Sequence, residues 1–333
     1  MTTTALDFDP YDHDPQRWGV SLSQSAELML PCLDAAGARS VVEVGAFAGD
    51  LTRVLVAWAA GAGATVGAVD PAPQPALEAL AHEHPQLELI RATSLEALPT
   101  LALPDAIVID GDHNWHTVSE ELRLISERAP GAELPLLLFH DVSWPHARRD
   151  DYHQAGAIPA AARHPVAGSG GGIFPGEPGL RPGGGLPYPN SAALEGGPRN
   201  GVRTAVEDFA AGRQDVRFVA VPVFFGFGAA WSTRAPWSDA VAAVLDPWDR
   251  HPLLERLEAN RVHHLALGQT RQHELWTEQG RRAGQEAVLR RLLESRAFAL
   301  AERLSRLRRR AGVAPGSAEV SRAEVRRVLD AAD

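Results

Sequence analysis

A chain of 333 residues with 45% apolar side chains can bury one α/β domain of ordinary size plus an appendage. Its formal net charge of −10 argues against nucleic acid as the main partner, because neutralising phosphates needs a basic surface. All 32 basic residues are arginine and Cys32 is the single cysteine. That excludes a P-loop lysine, a Schiff-base lysine, a Ser-Lys dyad, a disulfide framework and a multi-cysteine zinc site within one chain. No apolar run reaches the ~18 residues of a membrane span, and the first residues lack a basic stretch followed by an apolar one. We expect a cytoplasmic protein with no membrane partner.

Residues 1–22 read as a polar leader carrying Asp7, Asp9, Asp12 and Asp14, able to fold over a ligand or to remain a loosely ordered terminus. Apolar periodicity from Ser23 to Ala36, closed by Gly37, predicts the helix that enters the main domain, 23–235. Val41 to Gly45 then reads as a buried strand, Leu51 to Ala60 as a helix and Thr65 to Val69 as a second strand. A helix over Gln74 to His82, strands at Leu87 to Ile90 and Ala106 to Asp110, a helix over His116 to Glu127 and a strand at Leu134 to Phe139 continue the alternation. Such alternation specifies a Rossmann-like, doubly wound, mostly parallel sheet, whose ligands bind beyond the carboxyl ends of the strands.

Residues 141–200 differ: rich in Gly and Pro, with little periodicity, they predict a lid over the crevice or a plain disordered insert. A helix from Gly201 to Ala211 and strands at Val216 to Val221 and Phe224 to Trp231 resume the pattern and would complete seven strands with an antiparallel edge. Beyond, residues 236–333 form an arginine-rich helical extension, with Leu300, Leu304 and Leu307 at helical spacing and a run ending in Arg308-Arg309-Arg310. Solvated faces supporting a homo-oligomer are the favoured account; an acidic surface or partner enzyme is the alternative.

The first strand ends in Glu43-Val44-Gly45-Ala46-Phe47-Ala48-Gly49-Asp50. Gly45 and Gly49 let backbone approach a ligand closely, while the amides opening the next helix point at it. The spacing Glu-x-Gly-x-x-x-Gly differs from the Gly-x-Gly-x-x-Gly that holds a pyrophosphate. In this form it resembles the first motif of class I S-adenosylmethionine-dependent methyltransferases, which makes Glu43, Gly45, Phe47 and Gly49 candidate cofactor residues. Asp70, at the end of the second strand and about 20 residues past the glycine turn, can accept the hydrogens of both ribose hydroxyls. Ser94, after the third strand, could meet the adenine edge or simply cap a short helix.

Two neighbouring strand ends, Ile109-Asp110-Gly111-Asp112-His113 and Phe139-His140-Asp141-Val142, bring Asp110, Asp112, His113, His140 and Asp141 toward one crevice. Carboxylates suit a hard cation such as Mg²⁺, and an added imidazole shifts preference toward Mn²⁺, Fe²⁺ or Zn²⁺. Such a metal would lower the pKa of a substrate hydroxyl, and a nearby histidine would take the proton. Trp144, Arg148, Arg149 and Tyr152 open the long loop and could line an acceptor pocket, though paired loop arginines are commonly just solvated.

These motifs, with Trp144-Pro145, Arg148-Arg149-Asp150, Asn200-Gly201-Val202 and Thr204-Ala205-Val206-Glu207-Asp208-Phe209, resemble the family of macrolide-sugar O-methyltransferases and the related cephalosporin-pathway protein, from about Ser23 to Trp231. The resemblance implies that Asp110 and Asp141 are metal ligands, Asp110 also bordering the cofactor, and that His113 is the base. His140 stands where that family carries an acidic residue, so it implies a different metal preference, a second base or a metal-independent variant. The reading is a methyltransferase that moves a methyl group from S-adenosylmethionine to a hydroxyl of a sugar or other secondary-metabolite acceptor. A metal-dependent hydrolase or lyase leaves Glu43, Gly45, Gly49 and Asp70 unexplained; a non-catalytic, cofactor-binding scaffold in a biosynthetic complex is the other alternative.

Overall fold

Val41, Val42 and Val44 are β-branched and buried, and they build the central strand β1 (Ser40–Val44) of the computed structural model. The structure describes residues 20–169, 171–312 and 320–330; nearly all of the expected leader lies outside them. Helix α1 (Ala26–Ala35) precedes β1, and α2 (Asp50–Ala62) follows it. α2 buries Leu51, Leu55, Val56 and Ala59 along one face and runs between Gly49 and Gly63, both left-handed. β2 (Thr65–Val69), α3 (Pro75–Glu83), β3 (Leu87–Ile90), α4 (Ser94–Ala97) and β4 (Ala106–Ile109) continue the winding. Then come α5 (Trp115–Arg128) and β5 (Leu136–Phe139).

Every residue of β4 and β5 is buried, as expected for parallel strands covered on both faces. Leu55, Leu77, Met29 and Leu33 cover one face; Val118, Leu122, Ile125 and Val206 cover the other. α5 starts where the Asn114 side chain accepts the Thr117 amide at 2.8 Å, which fixes the exit from β4.

After a folded excursion that contains the hairpin β6 (Gly172–Phe174) and β7 (Glu177–Arg181), α6 (Val202–Ala211), β8 (Val216–Val221) and β9 (Phe227–Ser232) complete the sheet. The order is β3-β2-β1-β4-β5-β9-β8. The expected antiparallel edge is present as the pair β9–β8: β9 lies between β5 and β8, antiparallel to both, and β8 is the outermost strand. β9 also begins at Phe227 and not at Phe224, because Phe224, Phe225 and Gly226 all have positive φ and turn the chain before pairing starts.

α7 (Ser238–Leu245) packs on α1 through Val241 and Leu245. α8 (Pro252–Glu294), α9 (Arg296–Arg310) and α10 (Arg322–Asp330) follow. The chain divides into two compact units, up to Gly268 and from Gln269 onward. In the first, α8 buries Glu258, Val262 and Ala266. In the second, Ser295 caps α9, Val325 and Leu329 of α10 are buried, and Leu300, Leu304 and Leu307 of α9 stay exposed.

Candidate active site

The crevice forms where β1 and β4 end side by side. Gly45 leaves β1 with φ 86° and passes so close to β4 that a Cβ there would overlap the Asp110 carbonyl oxygen and lie 2.6 Å from Gly111 Cα. Only glycine satisfies both the dihedral and the approach. Glu43 is buried on β1 and accepts the Thr52 hydroxyl at 2.6 Å; burial pushes its carboxyl up to about 8. Asp70, at the exit of β2, accepts the Phe47 amide on one oxygen and the Ala72 amide on the other, each at 2.7 Å. The glycine turn is thereby tied to β2, and Phe47 is left 63% exposed at its tip. Ser94 is buried at the start of α4, which is closed by a capping box between Thr93 and Glu96.

At the exits of β4 and β5 the structure gathers Asp110, His113, His140 and Asp141. His113 lies between two carboxylates: Nδ1 is 3.0 Å from Asp141 Oδ2 and Nε2 is 3.4 Å from Asp110 Oδ1. His140 Nδ1 is 3.1 Å from that same Asp110 oxygen and 3.7 Å from Asp141 Oδ2. The other nitrogen of His140 lies 2.9 Å from the Phe224 carbonyl. A carbonyl can only accept, so Nε2 carries the hydrogen and Nδ1 is the nitrogen turned to the carboxylates.

The charges are strongly coupled. Burial alone would raise the Asp110 carboxyl, but the two imidazoles outweigh it and hold the group far below the usual carboxylate range. Burial alone would lower both histidines; the carboxylates reverse it, lifting His113 to about 10 and His140 to about 9. Metal-competent atoms of Asp110, His140 and Asp141 all lie within 4.8 Å of one another, and an oxygen-oxygen-nitrogen donor set fits a divalent cation. Such an ion would compete with the protons on this cluster.

The remaining predicted residues are placed differently. Asp112 sits beside the cluster but accepts the Thr117 hydroxyl and the His153 amide, which ties the β4 exit to the excursion. Arg149 and Tyr152 are wholly buried. Arg149 donates to the carbonyls of Ala192 and Pro178, and the Tyr152 hydroxyl donates to Asp150. Their polar groups tie parts of the excursion to one another. Arg148 pairs with Glu207 and Thr204 of α6, while Trp144 packs on the β6–β7 cluster.

His146 and Tyr188 escaped the sequence reading. The His146 ring lies 5.5 Å from that of His113 and meets Tyr188 edge-on at 4.8 Å. Burial holds its imidazole below the ordinary value, against the pull of Asp141. Nothing in a Gly/Pro-rich stretch without periodicity marks either residue.

Residues 42–142 match the family model described as a methyltransferase domain. No functionally curated protein matches the chain. Among solved structures, the methyltransferase PaMTH1 of Podospora anserina, bound to SAH, is 15% identical with a TM-score of 0.41, over 64% of this chain and 80% of that one. The O-methyltransferase TomG of Streptomyces achromogenes, involved in tomaymycin synthesis and bound to SAM, is 17% identical with a TM-score of 0.38, over 64% of this chain and 82% of its own.

Proposed function

We propose that this chain, whose residues 42–142 match a methyltransferase-domain model, transfers the methyl group of S-adenosylmethionine to a hydroxyl oxygen of a small-molecule acceptor, a sugar or another secondary metabolite. The observation that carries the reading is His113, held between Asp110 and Asp141 beside the Gly45 turn.

The glycine turn and the first amides of α2 form the cofactor cradle, with Glu43 beneath and Phe47 at its rim. Each Asp70 oxygen accepts one amide and keeps a lone pair for a ribose hydroxyl. Ser94 meets the adenine. An acceptor oxygen in line with the sulfonium forms the new C–O bond as the C–S bond breaks, releasing S-adenosylhomocysteine; alignment supplies much of the rate. The hydroxyl proton goes to His113. Its Nδ1 is anchored by Asp141, and its Nε2, at the longer distance of 3.4 Å from Asp110, is the nitrogen that leaves its carboxylate to turn to the acceptor. Because the carboxylates lift this imidazole to about 10, its protonated form must give up the proton before the ring acts as base. Asp110, His140 and Asp141 would hold a divalent cation, Mg²⁺ or Mn²⁺, which when bound polarises the acceptor oxygen.

We take 23–235 as the methyltransferase domain, residues 141–200 as its lid and 236–333 as an extension that joins copies into a homo-oligomer. The exposed ladder Leu300, Leu304 and Leu307 supports that assembly, and sedimentation tests it. Calorimetric titration with S-adenosylmethionine and S-adenosylhomocysteine, with and without chelator, followed by transfer assays on a panel of hydroxylated acceptors, tests the activity. A non-catalytic scaffold is the second reading, favoured by the carboxylates that occupy both nitrogens of His113; donor binding without transfer to any acceptor supports it.

A further inference from the structure

Phe224 and Phe225 are consecutive non-glycine residues at positive φ, 51° and 68°. Each is a strained backbone conformation, so the turn persists only if its surroundings over-determine it. Three contacts do so. Gly226 follows at φ 101°, pressed so close to Ser143 that a Cβ there would overlap its amide nitrogen. The Ser143 amide donates to the Phe225 carbonyl at 2.7 Å. The third contact comes from α8: the buried carboxylate of Glu258 accepts the Phe224 amide at 3.2 Å and the Phe225 amide at 2.8 Å. Two successive amides in left-handed backbone form a concave anion site, and Glu258 is the anion that fills it.

Glu258 is fixed in turn. Arg261, one turn along α8, donates to both of its oxygens at 2.8 and 2.7 Å and lies 4.5 Å over the Phe225 ring. The carboxylate therefore receives four hydrogen bonds. The turn it holds presents the Phe224 carbonyl, the acceptor that orients His140.

We infer that Glu258, on a helix beyond the segment matched as a methyltransferase domain, is a positioning residue for the active-site cluster. It acts through the Phe224 carbonyl to keep His140 Nε2–H engaged and His140 Nδ1 turned toward Asp110. Without its carboxylate, the half-buried Phe224 amide and the buried Phe225 amide lose this acceptor and the strained turn relaxes toward negative φ. The carbonyl then leaves His140. The inference takes from the proposed function only that His140 belongs to the site. Its test needs neither donor nor acceptor, so it can fail while methyl transfer is demonstrated, and succeed where transfer is not found.

The test is hydrogen exchange of ring N–H groups in ¹⁵N-labelled full-length protein, comparing wild type with Glu258→Ala and Glu258→Gln. The His140 resonance is assigned by its absence in His140→Asn. The indole N–H of Trp231, buried and bonded to Ser238 at 3.0 Å, is the control. In Glu258→Ala we expect His140 Nε2–H to exchange at least ~10-fold faster, a 1.4 kcal/mol change in opening, with Trp231 as protected as in wild type. Glu258→Gln, which keeps one carbonyl oxygen, falls between the two and decides alone if the alanine variant does not fold. Unchanged protection of His140 overturns the inference. So does parallel loss of protection at His140 and Trp231, which marks a general structural role.

Discussion

His113 Nδ1 lies 3.0 Å from Asp141 Oδ2, joining the exit of β4 to the exit of β5. In the proposed reaction this contact orients the base, and removing the ring removes the proton acceptor. We expect His113→Ala to lower methyl transfer by roughly 10²–10⁴-fold while S-adenosylhomocysteine affinity stays within a few-fold of wild type. Steady-state transfer assays beside calorimetry separate the two effects. Loss of both together would mean that the ring shapes the cradle and does not move the proton.

Asp70→Ala should weaken S-adenosylmethionine binding by at least about tenfold, through loss of the ribose acceptor and release of the Phe47 and Ala72 amides. Titration reads the affinity, and a thermal melt of the cofactor-free protein reads the second contribution. Wild-type affinity in Asp70→Ala would remove this residue from the cofactor site.

Gly45→Ala places a methyl group against the Asp110 carbonyl in backbone that already sits at φ 86°. A destabilisation above ~2 kcal/mol by urea unfolding is the expected outcome, with cofactor binding lost in any fraction that folds. Wild-type stability would mean that β1 and β4 part readily.

His140→Asp restores an all-carboxylate donor set. The substitution should tighten Mg²⁺ binding by roughly tenfold and narrow the preference for Mn²⁺, as measured by metal titration of the cofactor-free protein. Equal affinities in variant and wild type would separate His140 from any metal site.

Glu121 gives a pH-dependent prediction. Its carboxyl is wholly buried on α5, and burial pushes it up to about 8. Between the ordinary value of 4.5 and about 8, the folded chain holds this proton while the unfolded chain releases it. Stability therefore falls as pH rises through that window and changes no further above it. Glu121→Gln should flatten the slope and gain on the order of a few kcal/mol over wild type at pH 8, with little difference near pH 4.5. Urea unfolding across that range checks it; parallel curves for the two proteins would refute the assignment.

The sheet was legible because parallel strands buried on both faces read as short apolar runs, and the polar residues that matter follow them directly: Asp70 after β2, Asp110 and His113 after β4, His140 and Asp141 after β5. Spatial order was less legible. The sequence offers the last two strands as a pair, and only contact with β5 decides that β9 lies inside and β8 outside. The excursion hid most. Arg149 and Tyr152 resemble pocket residues in sequence, yet both are buried with internal partners, since a chain poor in apolar residues folds there around polar anchors. The carbonyl of Phe224 could not be foreseen at all, because a backbone acceptor has no signature in residue type.

Asp150 draws these threads to one place. One of its oxygens accepts the amides of Trp115 and Gly201, the other accepts the Tyr152 hydroxyl, and its own amide donates to Asn200. The excursion thus leaves and rejoins the fold at a single clasp, which also secures the start of α5 and the start of α6. The segment between Asp150 and Asn200 hangs from this clasp and contributes Tyr152 to it, so the start of α5, the start of α6 and the excursion are fixed by one carboxylate.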